Sequence, residues 1–185
     1  MLIICGKSAS GKDTVKKELI AKHGFNSIVT YTTRPQRKGE IDGVDYHFVS
    51  EEEFKMMIDS GFFLEWKQYE TIQGVWYYGS ALDDYDRANK NTVVILTPSG
   101  YLDFLNRSGN SDNHLCIYLY ANLATIKKRL KSRGDNKEEV ERRIVKDNED
   151  FKDFTNIAHK IVYNNDGTKV EDVINKIMED RYWGN

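Results

Sequence analysis

Met1-Leu2-Ile3-Ile4-Cys5-Gly6-Lys7-Ser8-Ala9-Ser10-Gly11-Lys12-Asp13-Thr14-Val15 opens the chain, and its reading decides the fold. Leu2 to Cys5 is a short apolar run of the kind a buried strand makes. From Asp13 the apolar residues Val15, Leu19 and Ile20 recur at helical spacing, and Gly24 suits a C-cap, so a helix is expected from about Lys12 to His23. Between strand and helix, Gly6 to Lys12 fits the pattern G-x-x-x-x-G-K. A turn of this kind lets the backbone amides of Lys7, Ser8, Ala9, Ser10, Gly11 and Lys12 curl around the phosphates of a nucleoside triphosphate. The helix N-terminus adds its positive dipole end, and Lys12 reaches the outer phosphates. The Lys7 side chain is read as solvated. The next position normally carries a Ser or Thr hydroxyl for magnesium, and here it is Asp13, which leaves that task to Thr14 or to water. Magnesium keeps several waters and is held largely by the phosphates themselves, so the substitution is compatible with binding.

Outward from this stretch, β-rich runs alternate with helical patterns, the signature of an α/β fold with a parallel sheet and crossover helices. Extended segments are expected at Ile28–Tyr31, Tyr46–Val49, Phe62–Trp66, Val75–Tyr78, Thr92–Leu96, Leu115–Tyr120 and Ile161–Tyr163. Ser50 with Glu53 forms a capping-box signal for a helix ending near Gly61. Ser80 is expected to cap a helix to about Asn89, Pro98 to open one bearing Tyr101, Leu102 and Leu105, and Asn122 to cap one to about Ser132. Asn136 with Glu139, and Thr168 with Glu171, start the last two. The polar and aromatic segment from about Thr32 to Gly79 interrupts the alternation, as an insertion into one domain would.

With 185 residues and a formal net charge of -2, the chain suits a single domain without a global positive field to recruit nucleic acid or an anionic membrane. The two cysteines, Cys5 and Cys116, lie in apolar runs without metal-ligand spacing, as core thiols of a reducing cytoplasm do. No apolar run reaches the length of a membrane span, so a soluble, cytoplasmic protein is expected.

The second informative stretch is Thr32-Thr33-Arg34-Pro35-Gln36-Arg37-Lys38-Gly39-Glu40-Ile41-Asp42-Gly43-Val44-Asp45-Tyr46-His47-Phe48. Two arginines three apart, stiffened by Pro35, can fork onto one phosphate, and tyrosine hydroxyls can complete the site. This stretch resembles the guanylate kinase signature T-T-R-x-x-R-x-G-E-x-x-G-x-D-Y-x-F. The likeness continues through Phe63-Leu64-Glu65-Trp66, Tyr77-Tyr78-Gly79-Ser80, Lys128-Arg129-Leu130 with Arg133-Gly134, and Asn164.

The resemblance implies a P-loop kinase with a parallel-sheet core (1–31 and 80–185), an acceptor-binding insertion (about 32–79) and a helical lid (about 127–150). It implies that Arg34, Arg37, Tyr46 and Tyr78 hold the phosphate of GMP, that Glu65 accepts hydrogen bonds from the guanine N1 and exocyclic amino groups, and that Ser80 and Thr30 meet other base edges. Lys12, Arg34, Arg129, Arg133 and Arg143 would be the catalytic cations, and Asn164 would lie beside the donor adenine. The implied reaction is transfer of the ATP γ-phosphoryl group to GMP or dGMP, with magnesium. After the strand at Thr92–Leu96 the family usually carries D-x-D, whereas this chain reads Thr97-Pro98-Ser99, with no carboxylate. Two other readings share the pattern: a kinase for another phosphorylated acceptor such as ribose 1,5-bisphosphate, and a non-catalytic module that binds phosphopeptides in the acceptor cleft.

Overall fold

A computed structural model describes residues 1–108, 113–134 and 136–179. The described residues fall into two compact units. The first consists of the described residues within Met1–Ser27, Lys90–Tyr101 and Ser111–Asn185, and the second of those within Ile28–Asn89 and Leu102–Asn110.

Elements are numbered along the whole chain. The first unit is built on five parallel strands, β1 (Leu2–Cys5), β2 (Asn26–Ser27), β7 (Thr92–Ile95), β8 (Leu115–Tyr120) and β9 (Lys160–Tyr163), in the order β2-β7-β1-β8-β9. Its helices are α1 (Lys12–His23), α5 (Leu123–Ser132), α6 (Lys137–Asp150) and α7 (Val170–Met178). Leu2, Ile4, Ile117 and Leu119 join Val15 and Leu19 of α1 and Val173, Ile174 and Ile177 of α7 in one cluster. Tyr118 alternates to the other face and stacks on Phe151 with centroids 5.1 Å apart. Cover on both faces explains why these strands are continuously apolar in sequence. From β1 the chain runs first to one side of the sheet and later to the other. The loop after β1 therefore lies at the carboxyl ends of the strands where the order reverses, the usual ligand crevice of such sheets.

The second unit carries a four-stranded sheet, β3 (Tyr31–Thr32), β4 (His47–Phe48), β5 (Phe63–Thr71) and β6 (Gly74–Ala81), ordered β4-β3-β6-β5, with helices α2 (Glu51–Asp59) and α3 (Leu82–Asp86). Phe54 of α2, Phe63 and Tyr77 form its core, with Phe54 and Phe63 stacked at 4.5 Å. β5 and β6 are an antiparallel hairpin, longer than the two short strands expected. Thr71 closes the turn: its hydroxyl donates to Gly74 O (2.8 Å) and accepts from Gln73 N (3.1 Å), while Gly74 adopts φ 109. The helix α4 (Pro98–Ser108) begins among residues of the first unit and continues among those of the second.

Ser50 and Glu53 form the expected capping box, and Asn122 caps α5 by accepting from Thr125 N. Two expected caps are not used. Ser80 lies in β6 with its hydroxyl committed to Glu65, and α3 starts after Ala81 without a side-chain cap. The N-cap of α7 is Lys169 rather than Thr168, again without a side-chain cap; the strongly amphipathic face of α7 fixes that helix by packing instead. Among the described residues no helix is long and apolar enough to cross a membrane.

Candidate active site

In the first unit the loop between β1 and α1 is tied together from inside. Lys12 Nζ donates to the carbonyls of Gly6 (2.6 Å) and Lys7 (3.0 Å). Burial holds the Lys12 pKa below its ordinary value; the carboxylates of Asp13 and Asp147 pull it back up, and Arg133 pushes it further down. Arg129 of α5 donates Nη1 to the carbonyls of Ala9 (3.2 Å) and Ser10 (3.1 Å), and Asn164, after β9, donates Nδ2 to Ser10 O at 2.8 Å. Four carbonyls of the loop, those of Gly6, Lys7, Ala9 and Ser10, are thus held by side chains. Gly11 is required twice over: its φ of 101 is left-handed, and a Cβ there would collide with Asn164 Nδ2. Asp13 and Thr14 are exposed on the first turn of α1.

Arg133, exposed at the C-cap of α5, is near enough to act on Lys12. Arg143 of α6 donates Nε to Glu139 Oε1 at 2.6 Å, and Arg142 grips the same carboxylate through Nε and Nη2, both at 2.8 Å. The Arg142 hydrogen bond, with that of Arg143, holds the Glu139 pKa at about 2 despite burial. Glu139, expected only as part of a helix start, therefore anchors the Arg143 side chain.

Sequence reading also missed Asp147. Its Oδ2 accepts from Ser8 N at 2.7 Å, and the adjacent Asn148 Oδ1 accepts from Lys7 Nζ at 2.6 Å. A carboxylate on a loop amide competes with a phosphate oxygen for the same donor. Asp147→Asn is expected to tighten MgATP binding about three- to tenfold, measured by isothermal titration. Unchanged or weaker binding would show that Asp147 does not compete.

In the second unit the doublet Thr32-Thr33 fixes the arginine loop to β6. Thr32 Oγ1 donates to Tyr77 O (2.9 Å) and accepts from Arg34 N (3.1 Å), while Thr33 Oγ1 accepts from Tyr77 N (2.9 Å). Arg34 is only 4% exposed. Its Nη2 meets Glu40 Oε1 and Oε2 at 2.8 and 3.0 Å, its Nη1 donates to Pro35 O, and its guanidinium lies over the rings of Tyr46 (5.3 Å) and Phe48 (5.6 Å). Burial alone would lower its pKa, but Glu40 together with Tyr78 and Tyr46 holds it above the ordinary value. Glu40 also accepts from Arg37 N at 2.8 Å, so one carboxylate sets both arginines. Tyr46 meets Tyr78 edge-on at 6.2 Å, while the Arg37 side chain is exposed.

Glu65, on β5, is 8% exposed and accepts from Ser80 Oγ at 2.6 Å through Oε1. Burial raises its pKa to about 7, against the opposing effects of Ser80 and Lys67, with Asp103 adding to the rise. Thr30 precedes β3, and its carbonyl accepts from His47 N. The second unit thus gathers Arg34, Tyr46 and Tyr78 in ring contact, and Glu65 with Ser80 in another pair. At the positions where the D-x-D acids were looked for, Thr97 and Ser99 hydroxyls lie 3.2 Å apart and Thr97 Oγ1 accepts from Gly100 N, a helix-start arrangement.

Residues 1–180 match the family model described as guanylate kinase. The chain belongs to the guanylate kinase family. It is accordingly an ATP-dependent nucleoside monophosphate kinase. Guanylate kinase of Sulfurimonas denitrificans is 39% identical over 150 residues, covering 78% of this chain and 70% of that protein. Guanylate kinase of Helicobacter pylori is 32% identical over 184 residues, covering 97% and 86%. In fold, the crystal structure of guanylate kinase from Anaplasma phagocytophilum superposes with a TM-score of 0.67 at 22% identity, over 98% of this chain and 83% of that one.

Glu40 lies inside the family signature, yet its bidentate hold on Arg34 is visible only in three dimensions. Glu40→Gln keeps the size and removes the charge. It is expected to lower stability by about 1–2 kcal/mol in a thermal or urea melt and to raise KM for GMP with little change in kcat. An unaltered KM would show that Arg34 needs no such support.

Proposed function

We propose that the protein transfers the γ-phosphoryl group of ATP to GMP, and to dGMP, giving ADP and the corresponding diphosphate, in the cytoplasm. The observation that carries this reading is the buried Glu65 carboxylate, held by Ser80 in the same unit as the Arg34–Glu40 fork. A carboxylate offered to a base selects adjacent donors, and guanine presents them at N1 and the exocyclic amine. Arg34, Arg37, Tyr46 and Tyr78 then receive the monophosphate, and Ser80 and Thr30 meet other base edges.

On the donor side the backbone from Gly6 to Lys12 receives the triphosphate, in a loop that Asn164 ties by donating Nδ2 to Ser10 O. Asp13 and Thr14, exposed on the first turn of α1, offer a carboxylate and a hydroxyl to magnesium, which most of all the nucleotide's own phosphates would hold. Held there, the ion would supply charge neutralisation to the transferring group. Lys12, Arg129, Arg133 and Arg143 add fixed positive charge, so alignment and neutralisation do most of the work, and closure of the lid around residues 127–150 excludes water. The acceptor phosphate is ionised near neutral pH and needs no general base. The internal bonds of Lys12 favour a working donor site over a degraded phosphopeptide-binding module. Incubation with MgATP and GMP, followed by ion-exchange chromatography, is expected to yield ADP and GDP in equal amounts; ADP and inorganic phosphate without GDP would reject the reading.

A further inference from the structure

Lys67 lies two residues beyond Glu65 on β5, so both side chains emerge from one face of the strand. Its Nζ is ion-paired with Asp103 Oδ2 of α4 at 2.8 Å, and the two side chains are 32% and 38% exposed, within reach of a small molecule. Asp103, Lys67 and Glu65 form a row of alternating charge, and each neighbour is felt at Glu65. Asp103 is a carboxylate of α4 that holds this lysine. Neither Lys67 nor Asp103 has a task in the acceptor site as described above.

The Watson–Crick edge of guanine presents two donors followed by an acceptor, the exocyclic amine, N1–H and O6. Glu65 answers the donors, and a donor beside it must answer O6. Adenine reverses the pattern, with an amine at position 6 and a bare N1, so it would face a cation with a donor and a carboxylate with a lone pair. Lysine supplies three N–H donors on a flexible stem, and Asp103 limits where they can point.

We propose that Lys67 is a specificity-determining residue for the acceptor base, donating Nζ to the 6-oxo group, with Asp103 as the positioning residue that holds it. The inference rests on GMP being the acceptor. The test compares the wild type, Lys67→Met, Lys67→Arg and Asp103→Asn by isothermal titration with three nucleotides, GMP, IMP and 2-aminopurine ribonucleoside 5′-monophosphate, which lacks both the 6-oxo group and the N1 proton; the wild type is titrated with AMP as well. Lys67→Met is expected to weaken GMP and IMP about tenfold and to leave the 2-aminopurine nucleotide within about twofold. Lys67→Arg recovers part of the loss, and Asp103→Asn weakens the oxo nucleotides by about threefold. Equal loss on all three nucleotides, or none on GMP, would overturn the role of Lys67. A wild type that binds AMP as tightly as GMP would instead overturn the guanine reading itself, before any variant is compared.

Discussion

Lys12→Ala is expected to reduce kcat for phosphoryl transfer by roughly 10³-fold or more, the largest effect of any single substitution here. The ammonium does two things. In the proposed reaction it supplies charge at the outer phosphates, and it closes the loop by bonding Gly6 O and Lys7 O. Alanine loses both; Lys12→Met fills the space without the charge or the bonds. If the electrostatic task dominates, the two variants fall equally in kcat while the methionine variant retains more thermal stability. Steady-state kinetics by coupled ADP release, together with melting curves, check this. Retention of more than a tenth of wild-type kcat in either variant would remove Lys12 from the chemistry.

Glu65→Gln carries the second largest effect. It replaces an acceptor-only carboxylate by an amide that can place one acceptor and one donor against two guanine donors. Losing two charge-assisted hydrogen bonds at about 1.5–3 kcal/mol each predicts a fall in kcat/KM for GMP of roughly 10²- to 10⁴-fold. The raised pKa adds a pH signature with opposite signs for binding and folding. Only the ionised form can accept both bonds, so GMP affinity rises with pH through about 7. Folding behaves the other way. The unfolded carboxyl titrates near 4.5 and the folded one near 7, so its contribution to stability is full below 4.5 and lost as pH rises through 7. That contribution amounts to roughly 3 kcal/mol. Because the GMP phosphate also titrates near neutrality, the informative quantity is the difference between wild type and Glu65→Gln. The variant should lose the part of the affinity profile that belongs to the carboxyl and show a flatter stability profile between pH 4.5 and 7. Superimposable profiles would mean Glu65 does not meet the base.

Much of this was legible in the chain because it is written in local chemistry. Leu2–Cys5, the glycine turn and Val15 with Leu19 give strand, loop and helix from spacing alone, and the structure builds them at the predicted residues. The capping box at Ser50 and the cap at Asn122 are equally local. What sequence could not supply depends on partners far apart in the chain. Ser80 reads as a helix cap by type and position, but a buried carboxylate fifteen residues earlier takes its hydroxyl. Asp147 reads as one more charge on a polar helix, yet it meets an amide 139 residues away. Lys67 falls just past the strand expected at Phe62–Trp66, and its partner Asp103 is far along the chain. Glu40 marks an intermediate case: its position within the signature is plain, whereas its grip on both arginines required the loop to fold back upon Thr32 and Thr33.

The claim on which the rest depends is that this chain phosphorylates a guanine nucleotide in preference to others, and a single panel measures it. With saturating MgATP and coupled detection of ADP, kcat/KM is determined for GMP, dGMP, AMP, CMP and UMP. A value for GMP at least about 10²-fold above AMP and the pyrimidine nucleotides is predicted from the paired donors that Glu65 would accept. Equal turnover of AMP or UMP, or no turnover of any acceptor, would contradict it.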